Sequence, residues 1–192
     1  MKRKLVFITA LFFSLTLFAQ TTTWKPDPWH SKLTFSVVHQ GFSSILGLFE
    51  KFDGTIITSK SDFSDAAFSL TVDVASINTE VKMRDDDLRG PHFFDVAKYP
   101  VMTFKSTSII NTTGIKDRFK VIGNLTLHGV TKSVTMDLWY RGTHVDAMSK
   151  KTKAGFMVTG IINRRDFDLG PVDPFDISND IMIKADGEFI KQ

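Results

Sequence analysis

The chain has 192 residues, of which 42% are hydrophobic and 23% are charged, a balance typical of one globular domain with its own core. Lys and Arg number 24 against 21 Asp and Glu, and the excess comes from Lys2, Arg3 and Lys4. The rest of the chain is neutral and has no basic cluster, which excludes a nucleic-acid partner. The lack of cysteine excludes disulfides and thiolate metal sites.

The first 19 residues have the pattern of a secretory signal peptide. The basic trio precedes an apolar run of 14 residues, 5–18, and Ala19 follows it as the preferred cleavage site. An uncleaved anchor is the alternative, but a membrane-spanning helix requires roughly 20 apolar residues. We therefore expect residues 20–192 to form one exported domain, periplasmic or secreted, that is not an integral membrane protein once processed.

After this segment, apolar and polar residues alternate with a period of two, which is typical of antiparallel strands. Turn residues separate eight such segments: 33–39, 49–58, 67–77, 101–109, 119–128, 133–141, 155–163 and 181–190. Between the third and fourth segments, residues 78–99 form the one long excursion, and residues 79–89 predict a short helix with Thr79 near its start. The sequence therefore predicts an all-β fold of eight strands with one short helical excursion between strands three and four.

Four glycines inside predicted strands indicate that the sheet closes into a barrel. Gly123, Gly155, Gly160 and Gly187 fall where glycine weakens pairing unless a strand bends sharply. Charged residues on the outward faces argue against a barrel that spans a membrane. The interior of an eight-stranded barrel either fills with side chains or holds one small ligand. The inward positions expected to line a pocket are Phe35, Val37, Phe68, Leu70, Phe104, Leu125, Phe156 and Phe189.

Several motifs resemble those of the YceI-like family, at the right order and spacing from Trp24 to Phe189. They include His30-Ser31-x-Leu33-x-Phe35-x-Val37-x-His39, Phe93-Phe94-Asp95-x-x-Lys98-Tyr99-Pro100 and Gly123-x-Leu125-Thr126-Leu127-His128-Gly129. The resemblance implies a lipocalin-like, eight-stranded antiparallel barrel, exported in bacteria. It also implies a binding protein that encloses a long-chain isoprenoid lipid, a polyprenyl lipid or an isoprenoid quinone, as a carrier or buffer.

A lipid of this kind has a polar end, and three residues are candidates to contact it. Arg84 and Arg89 flank three aspartates on the excursion, and a guanidinium group suits a pyrophosphate or carbonyl head group. Pairing of the two arginines with the neighbouring acids is the alternative. His39, at the end of the first predicted strand, is the third candidate.

The sequence predicts no metal, no cofactor and no catalytic residue. The five histidines, His30, His39, His92, His128 and His144, lack a paired metal-ligand spacing, and Asp85, Asp86 and Asp87 are consecutive rather than alternate as in a calcium loop. No G-x-S-x-G motif accompanies the serines.

Two other functions stay open at this point. One is a stress-responsive interaction module with a packed barrel that docks through residues 78–99. The other is an isoprenoid-modifying enzyme that uses His39, His128 and Asp166. The residues also leave open whether the protein forms a homodimer.

Overall fold

The computed structural model describes residues 20–172 and 177–192, so the predicted signal peptide lies outside the described residues. The described chain forms ten strands and one α-helix: β1 (Thr22–His39), β2 (Ser43–Phe49), β3 (Phe52–Thr58), β4 (Ala67–Asp73), β5 (Ile77–Asn78), α1 (Lys82–Arg89), β6 (Val101–Asn111), β7 (Arg118–Leu127), β8 (Val130–Val145), β9 (Thr152–Asn163) and β10 (Asp180–Lys191). The predicted all-β fold with one short helix is confirmed.

Eight of these strands close a barrel. In the order β3, β4, β6, β7, β8, β9 and β10 each strand pairs antiparallel with the next, and β1 closes the ring between β10 and β3. Along the edge of β1 that faces away from β10, the first residues pair with β3 and the second half pairs with β2. β2 in turn pairs with the short β5. The predicted eight-stranded antiparallel barrel is confirmed, with β2 and β5 as an extension at one end.

Some predicted strand limits were wrong. β1 begins at Thr22 rather than at residue 33, because its register against β10 breaks between Pro26 and Ser31 and this break hid the alternation. The predicted strand 49–58 is divided at residues 50–51 into β2 and β3. The predicted strand 67–77 ends at Asp73, where a 3₁₀ turn, Val74–Ser76, begins.

The helix begins three residues later than expected. Thr79 was predicted near its start, but the residue at the N-cap position is Val81, whose side chain makes no capping hydrogen bond. The backbone N–H and the hydroxyl of Thr79 instead donate to a carboxylate oxygen of Asp85, at 2.8 and 2.6 Å. Asp85 is a buried residue of α1. Its hydrogen bonds with Thr79 therefore join the helix to the segment that precedes it, and they do not cap the helix.

The core divides into two apolar clusters along the barrel axis. The helix-end cluster lies beneath α1 and is centred on Leu33, Phe49, Ile77, Met102, Phe167 and Leu169. The turn-end cluster lies at the opposite end and is centred on Trp24, Ile56, Phe63, Tyr140 and Phe156. The axis of the barrel is therefore apolar from one end to the other.

Three inward-facing glycines make room for large side chains on neighbouring strands. A Cβ atom built on Gly47 would lie 2.2 Å from the Phe35 ring, and one on Gly123 would lie 2.4 Å from the Phe104 ring. At Gly160 the same atom would meet the sulfur of Met136 at 2.0 Å. Each glycine thus allows a bulky neighbour to lie flat against the barrel wall.

We expect Gly123→Ala to lower the free energy of unfolding by about 1–3 kcal/mol, because the new methyl group overlaps the Phe104 ring and the carbonyl oxygen of Lys105. Urea denaturation measures the change. Gly54→Ala is the matched control, since its Cβ would meet no atom closer than 3.5 Å, and it should change stability by less than about 1 kcal/mol. Equal losses in the two variants would contradict the assigned role of Gly123.

Candidate functional site

A cavity of about 150 Å³ lies inside the barrel between the two clusters. Leu33 and Met102 of the helix-end cluster and Ile56 of the turn-end cluster border it. Six of the eight predicted pocket residues also border it: Phe68, Leu70, Phe104, Leu125, Phe156 and Phe189. Its wall is almost entirely hydrocarbon, so the cavity offers a ligand apolar contact and few polar partners.

Phe35 and Val37 do not border this cavity. The Phe35 ring packs 5.7 Å from the Phe49 ring and covers Gly47, nearer the helix-bearing end of the barrel. Val37 lies two residues further along β1. β1 runs the full length of the barrel. Its residues after Leu33 therefore lie between the cavity and the helix-bearing end, even though Phe35 and Val37 face inward.

Sequence reasoning omitted several other lining residues: Val121, Met136, Val158, Ile183 and Ala185. All of them occupy the same alternating, inward-facing positions as the other buried or half-buried apolar residues of their strands. The period-two pattern could therefore have found them. The pattern does not show which inward-facing residues of each strand lie at the height of the cavity along the barrel axis.

Packed side chains close both ends of the cavity. At the turn end the buried Phe63 ring lies 5.3 Å from Trp24, 4.8 Å from Tyr140 and 4.9 Å from Phe156. Phe63 adopts a positive φ of 59°, which is rare for an aromatic residue and requires a tightly held turn. Asp65 supplies that restraint, since it accepts hydrogen bonds from Thr58 and Ser59. At the other end Phe167 and Leu169 fill the barrel.

β1 forms a large bulge where it meets β10. Pro26 pairs with Phe189 and Ser31 pairs with Gly187, so the four residues between Pro26 and Ser31 lie opposite Glu188 alone and leave the ladder. Pro26, Ser31 and Gly187 all border the cavity. This bulge in the seam between the first and last strands therefore lies beside the cavity.

An ion-pair cluster, formed by Asp27, His30, Lys153 and Glu188, holds the bulge in place. The Nζ atom of Lys153 lies 2.9 Å from a carboxylate oxygen of Asp27 and 2.9 Å from one of Glu188. His30 Nδ1 lies 3.0 Å from the same carboxylate oxygen of Asp27, Oδ2. The cluster thus ties the unpaired part of β1 to β9 and β10.

The cluster shifts the pKa values of its members. Burial alone would raise the pKa of Asp27, but hydrogen bonds from His30, Lys153 and the backbone of Trp29 outweigh burial and lower it to about 2. Hydrogen bonds to Glu188 and Asp27 raise the pKa of Lys153. Both groups are therefore charged at neutral pH.

Asp27, His30 and Glu188 also bring potential metal-ligand atoms within 4.8 Å of one another. In this structure the ammonium group of Lys153 lies between the two carboxylates and supplies the positive charge there. The cluster was not predicted from the sequence, where His30 showed only the lack of a paired metal-ligand spacing. Its members come from three distant strands, and no local spacing in the sequence records that they meet.

The two candidate head-group arginines do not border the cavity. Arg84 donates to the hydroxyl and the carbonyl oxygen of Thr79, both at 2.7 Å. Arg89 donates to the carbonyl oxygens of Ala75 at 2.8 Å and Ile77 at 2.6 Å. These hydrogen bonds hold α1 against the segment that contains β5. A head-group role for either arginine stays a prediction, and its present hydrogen bonds do not favour it.

The other polar candidates lie at the helix-bearing end of the barrel. His39 ends β1 and forms a backbone bridge with Ile177. His128 lies in the turn after β7, where its ring contacts Tyr99 edge-on at 4.5 Å and its Nδ1 lies 3.3 Å from the Phe167 carbonyl oxygen. Asp166 is exposed. Within residues 20–172 and 177–192, no hydrogen bond joins the side chains of these three residues.

Comparison with known proteins identifies the family. The family model of the YceI-like domain matches residues 24–189. The chain belongs to the YceI-like family. Protein YceI of Salmonella arizonae is 38% identical over 146 residues, which cover 74% of each chain. The resemblance inferred from the motifs is therefore confirmed over most of the YceI-like domain.

Two solved structures share the fold of this YceI-like chain. BcnA of Burkholderia cenocepacia superposes with a TM-score of 0.75 at 24% identity, over 87% of this chain and 99% of BcnA. A polyisoprenoid-binding domain from Saccharophagus degradans, implicated in plant cell wall breakdown, superposes with a TM-score of 0.63 at 18% identity, over 90% of this chain and all of that domain. At these identities the two likenesses concern the fold alone. Among the described residues, no helix has the length and apolar character needed to cross a membrane.

The shifted pKa of Asp27 predicts how stability depends on pH. Its pKa in the folded protein, about 2, is below its ordinary value of 3.8, so its contribution is complete above about pH 4 and is lost as the pH falls towards 2. A shift of this size corresponds to about 2 kcal/mol. We expect Asp27→Asn to lower the free energy of unfolding by about that amount at pH 7 and by less than about 1 kcal/mol at pH 2.5.

Urea denaturation of both proteins at the two pH values measures this difference. Asp137→Asn is a control, because Asp137 forms an exposed pair with Lys120 and should change stability by less than about 1 kcal/mol at either pH. A loss in Asp27→Asn that is the same at pH 7 and pH 2.5 would contradict the role of the Asp27 charge.

Proposed function

We propose that the protein binds the hydrocarbon chain of an isoprenoid lipid inside the barrel and acts as a carrier or buffer for that lipid. The observation that carries the proposal is the apolar cavity inside the barrel between the two clusters. Burial of a hydrocarbon contributes about 0.8 kcal/mol for each CH₂ group, or roughly 4 kcal/mol for each five-carbon unit. Such a ligand needs no polar partner along its length, and the cavity wall offers almost none.

The cavity must widen to accept a long chain. A volume near 150 Å³ holds a molecule about as large as benzene, whereas pockets for larger ligands measure roughly 300–1,000 Å³. Met102 and Met136 line the cavity, and unbranched methionine side chains repack easily. We infer that the lipid displaces these side chains and the Phe104 ring, so that the two clusters separate around it.

A structural neighbour supports the chemical class that we propose for the ligand. The fold is shared with a polyisoprenoid-binding domain of Saccharophagus degradans, and a polyprenyl lipid or an isoprenoid quinone has the long methyl-branched chain that suits an aromatic and aliphatic lining. Both ligands share this chain and differ in the head group. The proposal therefore concerns the hydrocarbon chain of the lipid, which the residues that line the cavity would contact.

Two other functions are less well supported. A packed interaction module requires an interior filled by side chains, and the cavity argues against it. An isoprenoid-modifying enzyme requires polar groups beside the bound chain, but His39, His128 and Asp166 do not border the cavity. Binding without catalysis is therefore the proposed role.

We also propose that the protein is exported. Residues 1–19 carry the basic start, the apolar run and the small residue at the cleavage site that define a signal peptide. A carrier for a membrane lipid would then work in the periplasm or outside the cell. N-terminal sequencing of the protein from a periplasmic fraction should begin at Gln20, and an intact Met1 in the membrane fraction would contradict export.

Two substitutions at consecutive positions of β9 test lipid binding. Val158 borders the cavity, whereas Thr159 faces outward and is half-exposed. We expect purified protein incubated with a long-chain polyprenol to retain it through size-exclusion chromatography, as measured by mass spectrometry of an organic extract. Val158→Phe should reduce retention at least tenfold because the added ring fills the cavity, and Thr159→Phe should retain as much as the unchanged protein.

The proposal is wrong if the unchanged protein retains neither the polyprenol nor an isoprenoid quinone, or if both variants retain the lipid equally. Thermal unfolding of both variants serves as a control for folding. A stable Val158→Phe protein that has lost the lipid locates the binding site in the cavity.

A further inference from the structure

The hairpin formed by the second half of β1 and by β2 has an unusual composition. Residues 33–49 contain no Asp, Glu, Lys or Arg, although 23% of the whole chain is charged. His39 is the one titratable side chain in the segment. Transfer of a charged side chain from water to an apolar medium is costly, and this segment can enter such a medium without that cost.

The two faces of this hairpin differ in their packing. On the inner face, Phe35 and Phe49 pack into the helix-end cluster and anchor the hairpin to the barrel. On the outer face, Val38 and Leu46 are exposed, and Leu46 exposes 69% of its surface. Phe42, in the turn at the tip, is 92% exposed. The hairpin therefore carries an aromatic tip on a rigidly held base.

The exposed apolar surface continues onto the neighbouring strands. Ile161 on β9 pairs with Met182 on β10, Met182 pairs with Ser36 on β1, and Ser36 pairs with Leu46 on β2. Paired residues face the same side of a sheet, and Ile161 and Met182 are 62% and 57% exposed. We call these five residues the hairpin patch: Val38, Phe42, Leu46, Ile161 and Met182.

Charged groups mark the limits of the hairpin patch. Lys184, the next outward residue of β10 after Met182, pairs with Asp186 at 3.0 Å. Asp180, the outward residue before Met182, is exposed. The neighbouring polar residues of the hairpin itself, Ser36, Gln40, Ser43 and Ser44, are uncharged. The charged residues of β10 thus border the hairpin patch on both sides of Met182, with Lys184 farther from the hairpin tip and Asp180 nearer to it.

We propose that the hairpin patch docks the protein on the surface of a lipid bilayer, with Phe42 inserted among the acyl chains. The tip extends about four residues beyond the row that contains Leu46, or roughly 13 Å at 3.3 Å per residue. Asp180 lies two residues nearer the tip than this row, so roughly 7 Å of the hairpin extends beyond that charge. Interfacial segments bury their apolar face roughly 5–10 Å deep, so Phe42 can reach the acyl chains while Asp180 stays in water.

The shape of the surface favours a bilayer over a protein partner. A stable protein interface buries roughly 800 Å² on each side against a complementary shape, whereas the exposed apolar groups here are a projecting tip and a row behind it. A fluid bilayer needs no complementary shape. The inference rests on the proposed function, because a carrier must take its hydrocarbon ligand from a membrane.

The chemistry of the hairpin patch also predicts how docking responds to charge. Because the hairpin has no Lys or Arg, attraction to anionic lipids does not drive the contact. Binding should therefore occur on zwitterionic vesicles and should change little between low and high salt, in contrast to an electrostatic contact that salt screens.

Flotation with phosphatidylcholine vesicles tests the proposal. We expect the unchanged protein to float with the vesicles at 50 mM and 500 mM salt, and the double variant with Phe42→Ser and Leu46→Ser to bind at least tenfold more weakly. Met148→Ser is the matched control, because Met148 is 94% exposed in the turn between β8 and β9 at the opposite end of the barrel, and it should bind as the unchanged protein does.

Absence of binding by the unchanged protein would overturn the proposal, and so would equal weakening by Met148→Ser. A homodimer in light scattering that Phe42→Ser abolishes would also overturn it, since a second copy would then cover the patch. A separate assay keeps the proposed function distinguishable: polyprenol delivered in detergent should load the double variant as it loads the unchanged protein. Failure of that loading in the unchanged protein would contradict the proposed function, whatever the vesicles show.

Discussion

The pairing of β1 with β10 is the constraint on which the rest of the structure depends. It joins the first and last strands of the described chain and turns a sheet with two free edges into a closed wall. The pairing is also interrupted, because the residues between Pro26 and Ser31 leave the ladder beside the cavity. Lys153 on β9 holds this bulge to β10 by pairing with both Asp27 and Glu188. The seam thereby forms part of the cavity wall.

Closure explains the character of the interior. Strands that curve tightly around a small axis need glycines under their largest neighbours, and Gly47, Gly123 and Gly160 meet that need. With both ends packed by aromatic rings, the remaining space is small and apolar. An apolar wall binds hydrocarbon through the hydrophobic effect, which depends on area and not on direction. The proposed specificity for a long methyl-branched chain then resides in shape and in the capacity of Met136 and its neighbours to move.

The sequence predicted the parts of this structure that follow from local pattern. Period-two alternation predicted the barrel and six lining residues, among them Phe104 and Phe156. It did not predict the break in β1, since Asp27-Pro28-Trp29-His30 contains no alternation to follow. Nor could it show that Arg84 and Arg89 bind backbone carbonyl oxygens, because carbonyl groups are present at every residue and only the fold selects among them. The Lys153 cluster was missed for the same reason: its members meet only after the barrel closes.

The proposed binding site for the isoprenoid chain is the space between the two clusters. A crystal structure of the protein saturated with a long-chain polyprenol would locate the lipid. We expect continuous density for the lipid chain between Leu33 and Phe156, with the side chains of Met136 and Phe104 displaced from their positions in the lipid-free structure. Density for the lipid on the outer surface, with the interior side chains unmoved, would contradict it.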